Sequence, residues 1–318
     1  MSKHWTAAEI PDQTGRRVLI TGANSGIGYM TVLKLARKGA TVVLACRDER
    51  RGKAAISRLL ADSPGAQLEL VLLDLSSLDS VREVAARELE RGLPLDLLIN
   101  NAGVMAPPQR LETKDGFELQ FGTNVLGHFA LTGLLLPALE RAAAKAINEA
   151  TRPRVVTVAS IAHKRGRMNF EDLQSKYRYS PMGAYQQSKL GNVLFSFELE
   201  RRLQAESSGV VSIAAHPGVA ETNLFKVGSS KGLARVAESA ISHTIGTLLN
   251  SDAEGALPTL YAAAAIEAKG GGYYGPQGFQ EMRGGDVGEA KLSAAAKDEA
   301  AAARLWGVCE DLTSVRFL

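Results

Sequence analysis

Two cysteines in 318 residues, Cys46 and Cys309, are too few for a disulfide framework or a four-thiolate zinc site, and such sparing use fits a reducing compartment. The five histidines, His4, His128, His163, His216 and His243, show no H-x-x-x-H spacing, so no metal site is expected. Charge of one sign is scarce too. The 37 Lys and Arg stand against 34 Asp and Glu, and a net +3 is too near neutral for the basic field that nucleic-acid binding requires. No continuous apolar run approaches the roughly 18 to 20 residues of a membrane span. The first fifteen residues, Met1 to Gly15, lack the apolar core of a secretory signal. A soluble, cytoplasmic protein with no nucleic-acid partner and no membrane span is therefore expected.

What is present is ordinary folded composition, 45% apolar and 22% charged, long enough to bury a large core. Apolar runs rich in Val, Ile and Leu stand at Arg17 to Thr21, Thr41 to Ala45, Leu68 to Leu73, Leu95 to Ile99, Arg154 to Ala159 and Val210 to Ala215. Helical patterns separate them, at Glu49 to Ala61, Leu78 to Arg91 and Gly183 to Arg202. A long one runs from about Asp115 to Ala150, where Phe117, Phe121, Val125, Phe129 and Thr132 recur at helical steps. Continuous apolar strands between helices predict a parallel sheet covered on both faces. Length alone suggests roughly two domains, but no Pro/Gly/Ser-rich linker or internal repeat divides the chain. A single doubly wound, Rossmann-type α/β domain over residues 1–318 is expected, its last part, from about 288 to 318, a helical extension.

Gly22, Asn24, Ser25, Gly26, Ile27 and Gly28 lie between the first strand and the first helix, in a G-x-x-x-G-x-G turn. Glycines there let the backbone approach a pyrophosphate, whose charge the helix N-terminus favours. That is a candidate dinucleotide site. An acid at the end of the second strand would select NAD, an arginine the 2′-phosphate of NADP. Here Cys46 stands in the acid's place and Arg47 follows, so NADP(H) is expected over NAD(H). Asp48 reads as a helix cap, with a lean toward the ribose as its alternative.

Tyr185 and Lys189 are four apart and share one helix face. Bringing a phenol from pKa ~10 to ~7 needs about 4 kcal/mol, and an ammonium at about 4 Å in an effective dielectric of 20 supplies about that much. The pair can thus make Tyr185 a general acid or base. Ser160 ends the fifth strand, where open sheets bind ligands, and could hold a substrate oxygen or simply cap a turn. No G-x-S-x-G surrounds it, which excludes a serine hydrolase. Asp74 reads as a cofactor contact or as the cap of the next helix. His163-Lys164-Arg165-Gly166-Arg167 reads as a solvated basic loop or as a rim attracting acidic substrates.

The turn Gly22 to Gly28, Asn100-Asn101-Ala102-Gly103, Asn124, Ser160, Tyr185 with Lys189, and His216-Pro217-Gly218 together resemble the short-chain dehydrogenase/reductase family over nearly the whole chain. Within it, the segments at 45–47, 185–192 and 273–281 look most like the retinol-dehydrogenase-like, NADP-preferring group. The resemblance implies a seven-stranded parallel sheet and an NADP(H)-dependent oxidoreductase that moves hydride between nicotinamide and a carbonyl or alcohol. It makes Tyr185 the proton donor or acceptor, Ser160 the group that positions substrate oxygen, Lys189 the ribose and pKa partner, and Asn124 the holder of a relay water. It also implies cofactor contacts from Asp74, Leu75, Asn101, Ala102, Gly103, Tyr185, Lys189, Pro217, Gly218, Val219 and Thr222, and a homodimer or homotetramer. The segment from about 222 to 250 would be a substrate lid, whose apolar residues fit either an apolar substrate or core packing. The alternatives are a non-catalytic dinucleotide sensor or scaffold, and an epimerase or double-bond reductase, on the same fold.

Overall fold

The computed structural model describes residues 5–219 and 250–318. Eight strands, β1 (Arg17–Thr21), β2 (Thr41–Cys46), β3 (Gln67–Leu72), β4 (Leu97–Asn100), β5 (Arg154–Val158), β6 (Val211–Ala215), β7 (Tyr273–Pro276) and β8 (Val287–Glu289), form one sheet. Their order is β3-β2-β1-β4-β5-β6-β7-β8. The first seven pair in parallel, as expected. The eighth was not foreseen. It runs antiparallel to β7, which needs only a short return of the chain and no crossover helix.

Alternation along a strand sends neighbouring side chains to opposite faces, and both faces here are covered. In β1, Val18, Leu19 and Ile20 are all fully buried. Leu19 joins the layer built with helices Leu78–Glu90, Leu119–Ala143 and Pro181–Ala205, while Val18 and Ile20 join the layer under Gly26–Ala36 and Asp252–Ala264. Ser180 starts the Tyr185 helix by accepting the Gly183 N–H at 3.3 Å, with Pro181 in the first turn where its missing N–H costs nothing.

Two expectations need amending. The long helix runs over Leu119–Ala143, shorter than expected, and it is apolar enough by length and composition to cross a membrane. Its apolar window is 89% buried inside the fold, so here it is a core helix. The tail is not one helix: β8 is followed by a 3₁₀ turn at Ala294–Lys297 and the helix Glu299–Thr313, docked through the buried Trp306 against Phe129, Phe195 and Phe317. The expected lid from about 222 to 250, and with it Thr222, lies outside the described residues except for Asn250.

Candidate active site

Parallel strands put all their C-terminal ends on one edge, and the order reverses between β1 and β4, which opens a crevice there. The Gly22–Gly28 turn leaves β1 on one side of it and Asn101-Ala102-Gly103 leaves β4 on the other. Thr21 joins them. Its Oγ1 accepts the N–H groups of Asn101 and Ala102, both at 2.9 Å, and lies 2.9 Å from His128 Nε2. His128 Nδ1 faces the Asn124 carbonyl at 3.0 Å, and a carbonyl only accepts, so the proton sits on Nδ1 and Nε2 takes the Thr21 hydroxyl. Burial pushes this imidazole down to about 4, which keeps it neutral. Nothing in the sequence reading pointed to His128; its one signal is the four-residue spacing from Asn124.

The turn has the shape a dinucleotide needs. Gly22 sits at φ +66° with its α-carbon face against Ala102, and a Cβ on Gly28 would lie 2.5 Å from Gly22 O and 2.6 Å from Asn101 Nδ2. Ser25 occupies the cap position of helix Gly26–Ala36 yet makes no side-chain cap bond, and no acid stands in that helix's first turn. Those amides are available to an anion. Asn24 and Ile27 complete the turn, Asn24 through a carbonyl that accepts from Arg58 at 3.4 Å.

At the end of β2, Cys46 is buried and Arg47 is exposed, with no hydrogen bond or ion pair among the described residues. Asp48 is the cap of helix Glu49–Asp62, accepting from Arg51 N–H at 2.9 Å. Asp74 follows β3 and accepts from Ser76 N–H at 3.1 Å and Ser76 Oγ at 2.6 Å. The next helix is capped by Ser77 instead, so Asp74 is not its cap. Leu75 is buried, and its carbonyl lies where only Gly127 lets the Asn124 helix pass.

The chemistry-bearing residues meet on the β4–β5 side. Asn124 lies in a π turn, Gly122–Leu126, marked by the Gly127 N–H bonding back to Gly122 O. Its side chain is fully engaged: Oδ1 accepts from Val104 N–H at 2.8 Å, and Nδ2 donates to Val104 O at 3.0 Å and Ser188 Oγ at 2.9 Å. Lys189 is buried and donates to Val158 O at 2.9 Å, and burial drops its pKa to about 8. Its Nζ stands 5.8 Å from the centre of the Tyr185 ring. Burial raises the Tyr185 phenol above its ordinary 10, and the Ser160 side chain beside it only opposes this. Ser160 also caps the turn Ile161–Arg165, accepting from Ala162 N–H at 3.2 Å. A Cβ on Gly103 would come within 3.3 Å of Asn124 Oδ1 and 3.6 Å of Lys189 Nζ, so the β4 loop runs close against this group.

The Pro217-Gly218-Val219 segment leaves β6 on the same edge. Gly218, at φ +71°, lies against Met282 O, and Val219 N–H donates to that carbonyl at 2.7 Å. The basic run after Ser160 is only partly a surface loop. Arg165 and Arg167 are exposed, but His163 is fully buried, its Nδ1 2.8 Å from Ser160 O and its ring edge-on to Tyr273.

The sequence model for the short chain dehydrogenase family matches residues 16–231. Polyprenol dehydrogenase from Mus musculus is 43% identical over 298 residues, covering 93% of this chain and 83% of that protein. Retinol dehydrogenase 13 from Homo sapiens is 40% identical over 92% of this chain and 82% of its own. Among solved structures, a protein from Mycobacterium paratuberculosis superposes with a TM-score of 0.76 at 43% identity, over 99% of this chain and all of its own. The Pseudomonas aeruginosa RhlG/NADP active-site complex does so with a TM-score of 0.60 at 25% identity, over 82% and 94%. With its sheet, its crevice and these similarities taken together, the chain belongs to the short-chain dehydrogenase family, oxidoreductases that use a nicotinamide cofactor.

Proposed function

We propose that the protein is an NADP(H)-dependent oxidoreductase interconverting a carbonyl and an alcohol, with Tyr185 as the proton donor and acceptor. The observation that carries this is the gathering of Ser160, Tyr185 and a buried Lys189 on the sheet edge that also bears the glycine turn.

The turn residues Gly22 to Gly28 would hold the pyrophosphate, with Asp74, Leu75 and Asn101 to Gly103 around the adenosine half and Pro217 to Val219 around the nicotinamide. A bound nicotinamide supplies or takes the hydride. The protein's own part is the proton. Ser160 Oγ orients the substrate oxygen, and Tyr185, kept protonated by burial, donates to that oxygen during reduction. The phenolate this leaves is offset by Lys189. Its ammonium lies 5.8 Å from the ring centre and favours the anion. A relay water is proposed at Asn124, whose carbonyl accepts from His128 Nδ1.

Preference for NADP(H) is supported by the exposed Arg47, which makes no ion pair among the described residues, and by Asp48 being occupied as a cap. The names of the polyprenol and retinol dehydrogenases support an apolar alcohol or aldehyde as substrate. Free thiols at both cysteines fit a reducing compartment, and a homodimer or homotetramer is proposed on the family's pattern. Arg47→Ala tests the cofactor assignment. A charge-assisted phosphate contact is worth about 1.5 to 3 kcal/mol, so NADPH should bind about ten to a hundredfold more weakly by fluorescence titration and NADH little differently. Equal losses for both would refute it.

A further inference from the structure

Phe279 is 74% exposed, whereas Glu281, two residues on, is buried. An aromatic ring outside and an acid inside reverse the usual partition. The chain does this with two successive non-glycine residues in the left-handed region, Gln280 at φ +49° and Glu281 at φ +60°. Strain of that kind persists only where surroundings demand it.

The inward carboxylate collects partners from three segments. Oε2 accepts from Lys164 Nζ at 2.6 Å and lies 3.6 Å from His216 Nε2, and Oε1 accepts from Lys291 N–H at 2.8 Å. His216 Nδ1 accepts the Gly218 N–H at 3.2 Å, so the ring proton is on Nε2, the nitrogen facing Glu281. Burial alone would raise the Glu281 pKa; the nearby His216 ring and the hydrogen bonds from Lys164 and the Lys291 amide outweigh it and hold the group at about 2. Lys164 belongs to the turn that Ser160 caps. His216 immediately precedes Pro217. The next residue, Met282, gives its carbonyl to Val219 N–H and to Asn250 Nδ2, which also donates to Pro217 O at 2.9 Å. The Ser160 turn and the 217–219 segment are thus fastened to one strained corner between β7 and β8.

We propose that Glu281 is a positioning residue that fixes the spacing between Ser160, which orients the substrate oxygen, and Pro217-Gly218-Val219, which faces the nicotinamide. The proposal rests on the oxidoreductase reading above. Its value would be geometric, since a misplacement of about 1 Å at a reacting centre can cost about a hundredfold in rate.

Glu281→Gln removes the charge and keeps the shape. The full-length variant should fold, by circular dichroism, with kcat for NADPH-linked carbonyl reduction down by about a hundredfold and NADPH affinity weakened several-fold. Glu281→Asp, which keeps the charge, should recover part of the loss. Lys164→Met should lower kcat in the same direction, and the double variant should lose no more than Glu281→Gln alone, because the two act as one unit. If Glu281→Gln does not fold, Lys164→Met decides by the same readouts. Folded variants with wild-type kcat, KM and NADPH affinity would overturn the proposal whatever their melting points. A wild-type protein that turns over no carbonyl would instead sink the oxidoreductase reading, so the two failures are distinct.

Discussion

Replacing Lys189 with methionine should make the protein more stable and nearly inactive. The ammonium is wholly buried, and its hydrogen bond runs to Val158 O at 2.9 Å. Burial lowers its pKa from 10.5 to about 8, which corresponds to about 3 kcal/mol of native-state penalty. The folded protein holds this proton less tightly than the unfolded chain does. The penalty is therefore complete below pH 8, shrinks as pH rises toward 10.5, and is gone above it. Methionine removes the charge at similar length. It also removes the bond to Val158 O, worth about 1 kcal/mol, but that carbonyl keeps Asn192 Nδ2 as a donor at 3.3 Å and is not orphaned. The net gain at pH 7 is about 2 kcal/mol, a Tm rise of about 4 °C for a chain of this size. At pH 10 the gain should be near zero. Without the cation beside Tyr185, NADPH-linked turnover should fall about a hundredfold or more. Calorimetric melts of both proteins at pH 7 and pH 10, with turnover measured alongside, check each part. A variant less stable than wild type at pH 7, or a gain that does not shrink with pH, would refute the reasoning.

Gly28→Ala should cost at least about tenfold in NADPH affinity by fluorescence titration, because the new Cβ meets the Gly22 carbonyl and the Asn101 amide and the turn must open; an unchanged Kd would show that the cofactor does not sit there. His128, held at about 4 against an ordinary 6.5, stays neutral in the fold while the unfolded chain takes up a proton. Stability should thus decline as pH falls from about 6.5 to 4, by about 3 kcal/mol at the lower end from this residue. Urea midpoints at pH 7 and pH 4.5 should show a shallower decline for His128→Gln, and an equally steep one would count against the assignment.

Much of the fold could be read directly because it is local. A strand buried on both faces has to be continuously apolar, so Val18 to Thr21 and Val42 to Ala45 announce themselves, and the glycine turn between strand and helix is a short-range pattern. The four-residue spacing of Tyr185 and Lys189 likewise guarantees a common helix face. What it cannot reveal is where the ammonium bonds: Lys189 donates to the Val158 carbonyl, a partner on another element. The π turn at Asn124 has no propensity signature either, since its register is imposed by packing and made possible by Gly122 and Gly127. His163 looked solvated because Lys164, Arg165 and Arg167 surround it in the chain; its burial comes from Tyr273, more than a hundred residues away. β8 is three residues long and has no apolar run of its own, so only its pairing with β7 makes it a strand.

The central claim is that Tyr185 moves the proton in an NADPH-linked hydride transfer. It is tested by following NADPH oxidation with a panel of apolar aldehydes and ketones, wild type against Tyr185→Phe, with cofactor affinity measured on both. The account predicts wild-type turnover, a loss of about a hundred to ten-thousandfold in kcat for the variant, and an NADPH Kd that changes far less than kcat. A phenylalanine variant that reduces the same substrates at the wild-type rate would contradict it.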